Sequence, residues 1–136
     1  MTIGKILKEF PFLIISWDDS CQSLVTEWKG GFVSKEKYIQ GMNAALELFT
    51  ELKCKKVLSN TKDSGVLSLD TQKWVKEDFF PRFLATGVRY FATVIPSDAL
   101  ARMSINSLAS TVPGGLQSNF FDNVEDAQKW LSHQKV

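Results

Sequence analysis

Eight consecutive residues, Val88 to Ile95 (VRYFATVI), carry apolar side chains at both odd and even positions. A strand with that pattern has no polar face to turn to water, so it belongs inside a sheet that is covered on both sides. The rest of the chain has to supply those covers. In a chain this short, that requires helices packed between strands that are neighbours in sequence.

The flanking segments meet this demand by alternating in period. Phe12 to Trp17 (FLIISW) is a dense apolar run, Asp18 to Ser20 is polar, and Leu24 to Trp28 (LVTEW) alternates, which predicts two strands in a hairpin ending at Gly30 and Gly31. From Ser34 the period becomes helical: Tyr38, Met42, Ala45, Leu46, Phe49 and Leu52 share one face, opposite Gln40, Asn43, Glu47 and Glu51. Ser34 is the expected N-cap, and Gly41 inside the helix costs about 1 kcal/mol relative to Ala. Lys56 to Asn60 is a short strand, followed by a polar loop, Thr61 to Ser68, and a second helix capped by Ser68 or Asp70. Trp74, Val75 and Phe79 form that helix's inner face, and Pro81 is expected to interrupt or kink it before Gly87 ends it. After the central strand, a third helix runs from Pro96–Asp98 to about Ser107. Pro113, Gly114 and Gly115 then mark a loop, Ser118 to Phe121 a last strand, and Asp122 with Glu125 a capping box for a final helix bearing Val124, Ala127, Trp130 and Leu131.

The expected architecture is therefore α/β: a single sheet of about five strands, with an antiparallel first hairpin and then parallel strands joined by crossover helices. The 136 residues, 44% of them hydrophobic, fit one domain spanning 1–136 that buries roughly two-thirds of its unfolded surface. Sixteen Lys and Arg against fifteen Asp and Glu leave a net charge of +1, which supplies no field for nucleic acid or an anionic membrane. Cys21 and Cys54 fit no metal spacing and are expected to be reduced. Phe10 to Ile15 is short, contains Pro11 and makes no secretory leader, and no stretch approaches the roughly 18 apolar residues of a membrane span. A cytoplasmic protein without stable membrane insertion is the expectation.

Reactive groups are scarce. His133 is the lone histidine and stands near the C-terminus, where a side chain is poorly placed for acid–base work. The carboxylate pairs Asp18–Asp19, Asp70–Asp78 and Glu125–Asp126 read as turn formers, first-turn charges and solvated faces, and neither Gly pair has a phosphate-cradling spacing. The reading is of a protein that is not an enzyme and needs no cofactor and no metal. Trp17, Trp28, Trp74 and Trp130 fit core positions better than a stacking platform, although Trp28 stands beside Lys29, Gly30 and Gly31 at a sheet end. The segment Asn60 to Ser68 is the most informative, because sites in open α/β sheets gather beyond the carboxyl ends of strands. Asn60, Thr61, Asp63, Ser64 and Ser68 are the candidate interaction or phosphorylation residues. The plainer reading is that Ser68 caps the helix and Asp63-Ser64-Gly65 turns the chain. Met42, Phe49, Trp74 and Phe79 are candidates to line a site for an apolar ligand.

The element order, VLSLDTQKW at Val66 to Trp74, Pro81 ahead of ATGVRYFATVIP, and FFDNVEDAQKWL at Phe120 to Leu131 together resemble the SpoIIAA-like branch of the STAS (sulfate transporter and anti-sigma-factor antagonist) domains. The resemblance covers nearly the whole chain. It implies a non-enzymatic regulatory module that meets a protein partner. Asp63-Ser64-Gly65 resembles the motif whose serine a partner kinase phosphorylates in anti-sigma-factor antagonists, although it has one small residue fewer and stands five residues ahead of the helix. The alternative reading is a carrier or sensor of a small, lipid-like apolar ligand. A second copy of the chain is a further candidate partner, through an exposed edge of the first hairpin.

Overall fold

In a computed structural model, which describes residues 5–109 and 114–135, six strands form one sheet in the order β1-β2-β3-β4-β5-β6. They are β1 (Lys5–Phe10), β2 (Leu13–Asp18), β3 (Ser23–Trp28), β4 (Lys56–Asn60), β5 (Tyr90–Val94) and β6 (Gln117–Phe121). The helices are α1 (Lys35–Glu51), α2 (Leu69–Trp74), a π-helical turn (Val75–Phe79), α3 (Phe80–Ala85), α4 (Ala99–Ala109) and α5 (Val124–Ser132). β1, β2 and β3 are antiparallel, and β3 to β6 are parallel. The expected Pro113 turn lies outside the described residues.

The expected single sheet, antiparallel at its start and then parallel, is present with six strands, the first three forming a meander. β1 is hidden in the sequence because its register shifts at a bulge between Ile6 and Lys8. The extra residue breaks the two-residue alternation, so that Leu7 and Phe10, three apart, both pack against the core. Lys5, Lys8 and Glu9 are exposed on this edge strand, and charges with a bulge protect an edge from pairing.

From β3 to β6 every parallel connection steps to the adjacent strand in the same direction. Right-handed crossovers therefore place α1, α2–α3 and α4 on one face. Leu24 and Val57 of the sheet join Phe49, Val75, Phe83, Ile105 and Leu108 of these helices in the main core. The other face carries α5: Ala127 and Leu131 pack on Leu58, Ala92 and Val94, with Trp130 against Tyr90 and Phe121. β4 and β5 are thus covered on both sides, as the both-parity apolar pattern of Val88 to Ile95 requires.

Local signals account for most element ends. Ser34 caps α1 through Lys37 N (3.4 Å), and Asp98 accepts a bond from Ala101 N (3.0 Å) at the start of α4. Ser68, rather than Asp70, caps α2. The cap of α5 is Asn123, one residue after the expected Asp122, and it accepts from Asp126 N at 2.8 Å. Pro81 does not end the second helix. Its ring would meet the carbonyl of Glu77 in a regular α-helix, and the π turn Val75–Phe79 widens the backbone just before it. The same widening lets consecutive Phe79 and Phe80 both be buried. Leu52, expected on the inner face of α1, lies past the helix end and is exposed.

Two tertiary contacts add to the local readings. Gly41 is the point where α1 meets the sheet: a Cβ there would stand 2.8 Å from Leu13 Cδ2 and 2.9 Å from the Trp28 ring. Asp18 forms the expected turn by accepting from Ser20 N (2.9 Å) and Ser20 Oγ (2.6 Å), and it is also buried at the end of β2, where it accepts from Gln128 Nε2 of α5 (2.6 Å). Burial alone raises this carboxyl's pKa, but the bonds from Ser20 and Gln128 outweigh it and hold the group below the ordinary carboxylate value.

Gly41→Ala is expected to destabilise the protein by about 1–3 kcal/mol through overpacking, against a helix-propensity gain of about 1 kcal/mol; a raised urea midpoint would contradict the close approach. Because the folded-state pKa of Asp18 is depressed, its contribution is complete above the unfolded value of about 3.9 and is lost as pH falls through the folded value. Urea titrations at stepped pH should show stability falling below about pH 4, with Asp18→Asn less stable at neutral pH and less sensitive to acid. Equal acid slopes for the two proteins would rule out this linkage.

Candidate functional site

The loops that follow β3, β4 and β5 meet at the carboxyl end of the parallel strands, and backbone hydrogen bonds lock them together. Gly31 N donates to Asp63 O (3.2 Å) and Gly65 N donates to Gly31 O (2.9 Å), forming a short parallel bridge between Gly31 and Ser64. The clasp leaves no room for a side chain at Gly65, where a Cβ would lie 2.6 Å from Phe32 N and 2.7 Å from the Gly31 carbonyl carbon. Thr61 donates to Val94 O from both its amide (3.0 Å) and its hydroxyl (2.6 Å), which ties the loop to the end of β5. Leu67 N donates to Ser104 Oγ (3.1 Å), and Gln72 Nε2 donates to Leu67 O (2.8 Å), which seats the loop on α4 and α2.

The five predicted loop residues fall into different roles within this frame. The Asn60 side chain accepts from Lys62 N (3.1 Å) and shapes the turn, and Thr61 is buried. Asp63 supplies its carbonyl to the clasp and is itself exposed. Ser64 is half-buried, with its hydroxyl donating to Gly65 O at 3.1 Å. The Ser68 hydroxyl accepts from Thr71 N (3.1 Å) and donates to Thr71 Oγ1 (2.9 Å), the work of a helix cap. On the α5 side of this end, Glu27, Asn60, Lys62, Asp63, Asp122 and Glu125 border an open, mainly acidic cleft. Among the described residues no group of three or more His, Cys, Asp and Glu is placed to hold a metal ion.

Around the clasp stand apolar side chains that the core does not use. Phe32 is 70% and Leu69 83% exposed, and Val66, Leu100 and Met103 are also exposed. Phe32 follows β3, Val66 and Leu69 follow β4, and Leu100 and Met103 begin α4 after β5, so all belong to the same end of the sheet. Sequence reasoning missed this set, because Phe32 and Leu69 sit in cap and loop segments where no periodicity applies. Their signal was that large apolar residues occupy segments with no inner face.

Beneath the helices lies a small cavity of about 50 Å³, between α1, the π turn, α4 and the middle of the sheet. Met42 and Phe79 of the predicted apolar set line it. Phe49 and Trp74 do not: Phe49 packs on Phe83 at 5.3 Å within the core, and Trp74 borders an outer groove with Lys35, Asp70 and Lys73. Tyr38, Ser59, Thr61, Thr93 and Ser118 also line the cavity. Burial pushes the Tyr38 phenol far above its ordinary pKa, so it remains protonated. Trp28 is core rather than a surface platform, stacked on Tyr38 at 4.4 Å and on Phe12 at 6.2 Å. Cys21 and Cys54 are free and buried, and burial raises both thiols, which keeps them from acting as thiolates. The His133 ring is exposed, with Nδ1 2.7 Å from Lys129 O at the end of α5.

The chain is similar in structure to an uncharacterized protein of the DUF3478 family from Shewanella loihica PV-4, described as having a SpoIIAA-like fold. The two share 18% sequence identity at a TM-score of 0.60, over 96% of this chain and 97% of the other. The fold is SpoIIAA-like. No protein-family profile and no curated protein matches the sequence. Among the described residues no helix is long and apolar enough to cross a membrane.

Gly65→Ala is expected to open the clasp, with a loss of about 1–3 kcal/mol and faster amide hydrogen exchange at Gly31 and Gly65 than elsewhere. Unchanged exchange at these two amides would show that the loop relaxes without parting.

Proposed function

We propose that the protein is a non-enzymatic interaction module of the STAS type, which meets a protein partner with the face built on the Thr61–Ser68 loop. The observation that carries this reading is that exposed apolar residues, Phe32, Val66, Leu69, Leu100 and Met103, stand in the segments that follow β3, β4 and β5, the first two of which are joined by the Gly31–Gly65 clasp. Exposed apolar groups gathered at one end of a domain mark contact surfaces, and a fixed backbone lowers the ordering cost of binding. The neutral, unpolarised state of both cysteines and the capping role of Ser68 supply nothing for covalent chemistry.

Both candidate serines stay in this reading: Ser68 is exposed at the start of α2, where a phosphate still accepts from the helix amides, and Ser64 is half-buried in the loop. A phosphate on Ser64 places about two negative charges in the middle of the proposed face, where it opposes docking of an apolar partner. A second copy of the chain is one form the partner takes; this face favours it over the bulged, charged edge of β1. The lipid-carrier reading has weaker support, since the cavity of about 50 Å³ is well below the roughly 150 Å³ that admits benzene.

Replacing Phe32 and Leu69 together with Ser is expected to leave stability within about 1 kcal/mol, as for exposed positions, and to reduce partner capture, or self-association in sedimentation, at least about tenfold. Undiminished association by the folded double variant would remove this face from the interaction. Substrate turnover by the purified protein would defeat the non-enzymatic reading.

A further inference from the structure

The outer strands of the sheet, β1 and β6, are built differently. β1 carries Lys5, Lys8 and Glu9 and a bulge between Ile6 and Lys8, the usual protections of an edge against pairing. β6 (QSNFF) has neither a charge nor a proline. It pairs with β5 in unbroken register from Tyr90↔Gln117 to Val94↔Phe121, so no bulge turns it aside. Gln117, Ser118, Asn119 and Phe120 are all exposed along it. An open, regular and uncharged edge is a template for a further strand.

The hydrogen bonds to β5 fix which groups this edge offers. Gln117 N donates to Arg89 O (2.8 Å) and Phe121 O accepts from Ile95 N (3.0 Å), so alternation turns the backbone of Gln117, Asn119 and Phe121 toward β5 and that of Ser118 and Phe120 outward. The outward Phe120 amide is covered by its own neighbour, donating to Asn119 Oδ1 at 2.9 Å. That bond spans adjacent residues, so the carbonyl of an incoming strand can replace it without breaking any contact of the sheet.

We infer that β6 is the pairing edge for a second copy of this chain, added antiparallel about a two-fold axis at Asn119. This register sets Ser118 opposite the second copy's Phe120, and the outward groups exchange about four backbone hydrogen bonds. It also keeps charges apart, because Asp122, next to the strand, falls opposite the uncharged Leu116. The exposed Phe120 ring comes within reach of the second copy's Ser118 and loses contact with water. A charged strand would find no counter-charge along β6, whereas β6 matches itself. Two strands of this length bury less than the roughly 1,200 Å² of stable complexes, so the dimer is weak and forms as concentration rises. The pairing uses none of the apolar docking residues, which follow β3, β4 and β5, and the two readings stand or fall separately.

The test is amide hydrogen exchange of the full chain from about 10 μM to about 1 mM, with Asn119→Val and Asn119→Lys. Both variants remove the acceptor from the Phe120 amide, and only Lys sets like charges opposite each other at the axis. Protection at Ser118 and Phe120 is expected to rise with concentration, to do so at about three- to tenfold lower concentration in Asn119→Val, and to be lost in Asn119→Lys. The Phe32→Ser, Leu69→Ser double variant is expected to keep the rise. Exchange at Ser118 that is independent of concentration, equal association of the two folded Asn119 variants, or protection confined to the Lys5–Phe10 amides would each overturn the assignment and leave β6 a solvated edge.

Discussion

From β3 to β6 the sheet grows in one direction, each parallel strand being added beside the one before it. With right-handed connections, this places three successive helical segments on the same face and leaves the other to whatever follows β6. The two faces are built differently as a result. One carries the large aromatic core beneath α1, α2–α3 and α4, and the other only the small cluster under α5. The one-way growth also gathers the loops after β3, β4 and β5 at a single end, where backbone bonds between Gly31, Asp63 and Gly65 join the first two and Thr61 bonds to Val94 O at the end of β5.

The helical face needs close packing, and it is obtained through residues of unusual size or geometry. Gly41 lets α1 descend onto Leu13 and Trp28, which in turn brings Tyr38 down over the sheet to stack on Trp28. The π turn before Pro81 turns Phe79 and Phe80 inward together. These two adjustments enclose the small cavity above Ser59 and Thr93. The unusual helix geometry and the glycine contact are therefore parts of one arrangement. The opposite face adds a polar bond to its apolar cluster: Gln128 of α5 donates to Asp18 of β2, across 110 positions of sequence.

Much of this was legible in the residues. The apolar character of both faces of Val88 to Ile95 predicted a doubly covered strand, and it lies between α5 and the main core. The caps at Ser34 and Ser68 were legible because a hydroxyl just before a helical period bonds to an amide three residues on. β1 was not, because its bulge destroys the alternation by which strands are recognised. In the candidate loop, Asn60, Thr61, Asp63, Ser64 and Ser68 looked alike as small polar residues, yet Thr61 is buried on Val94 O and Ser68 is spent on a cap. The predicted apolar set divided similarly, since one face of a helix or one residue type does not say which members reach a shared space. Met42 and Phe79 reach the cavity, whereas Phe49 faces Phe83.

The order of strands and helices, their approximate ends and the burial of β5 follow from the sequence alone, because periodicity and capping depend on residues a few positions apart. The tertiary structure decided that Gly41 is a contact rather than a defect, that Asp18 is a buried acceptor, and that Phe32 and Leu69 stay in water. It also decided that Thr26, Ser59 and Thr93 stand in one row. Each of these depends on which side chain arrives from a distant segment, and strand register together with helix approach settles that only when the chain is folded.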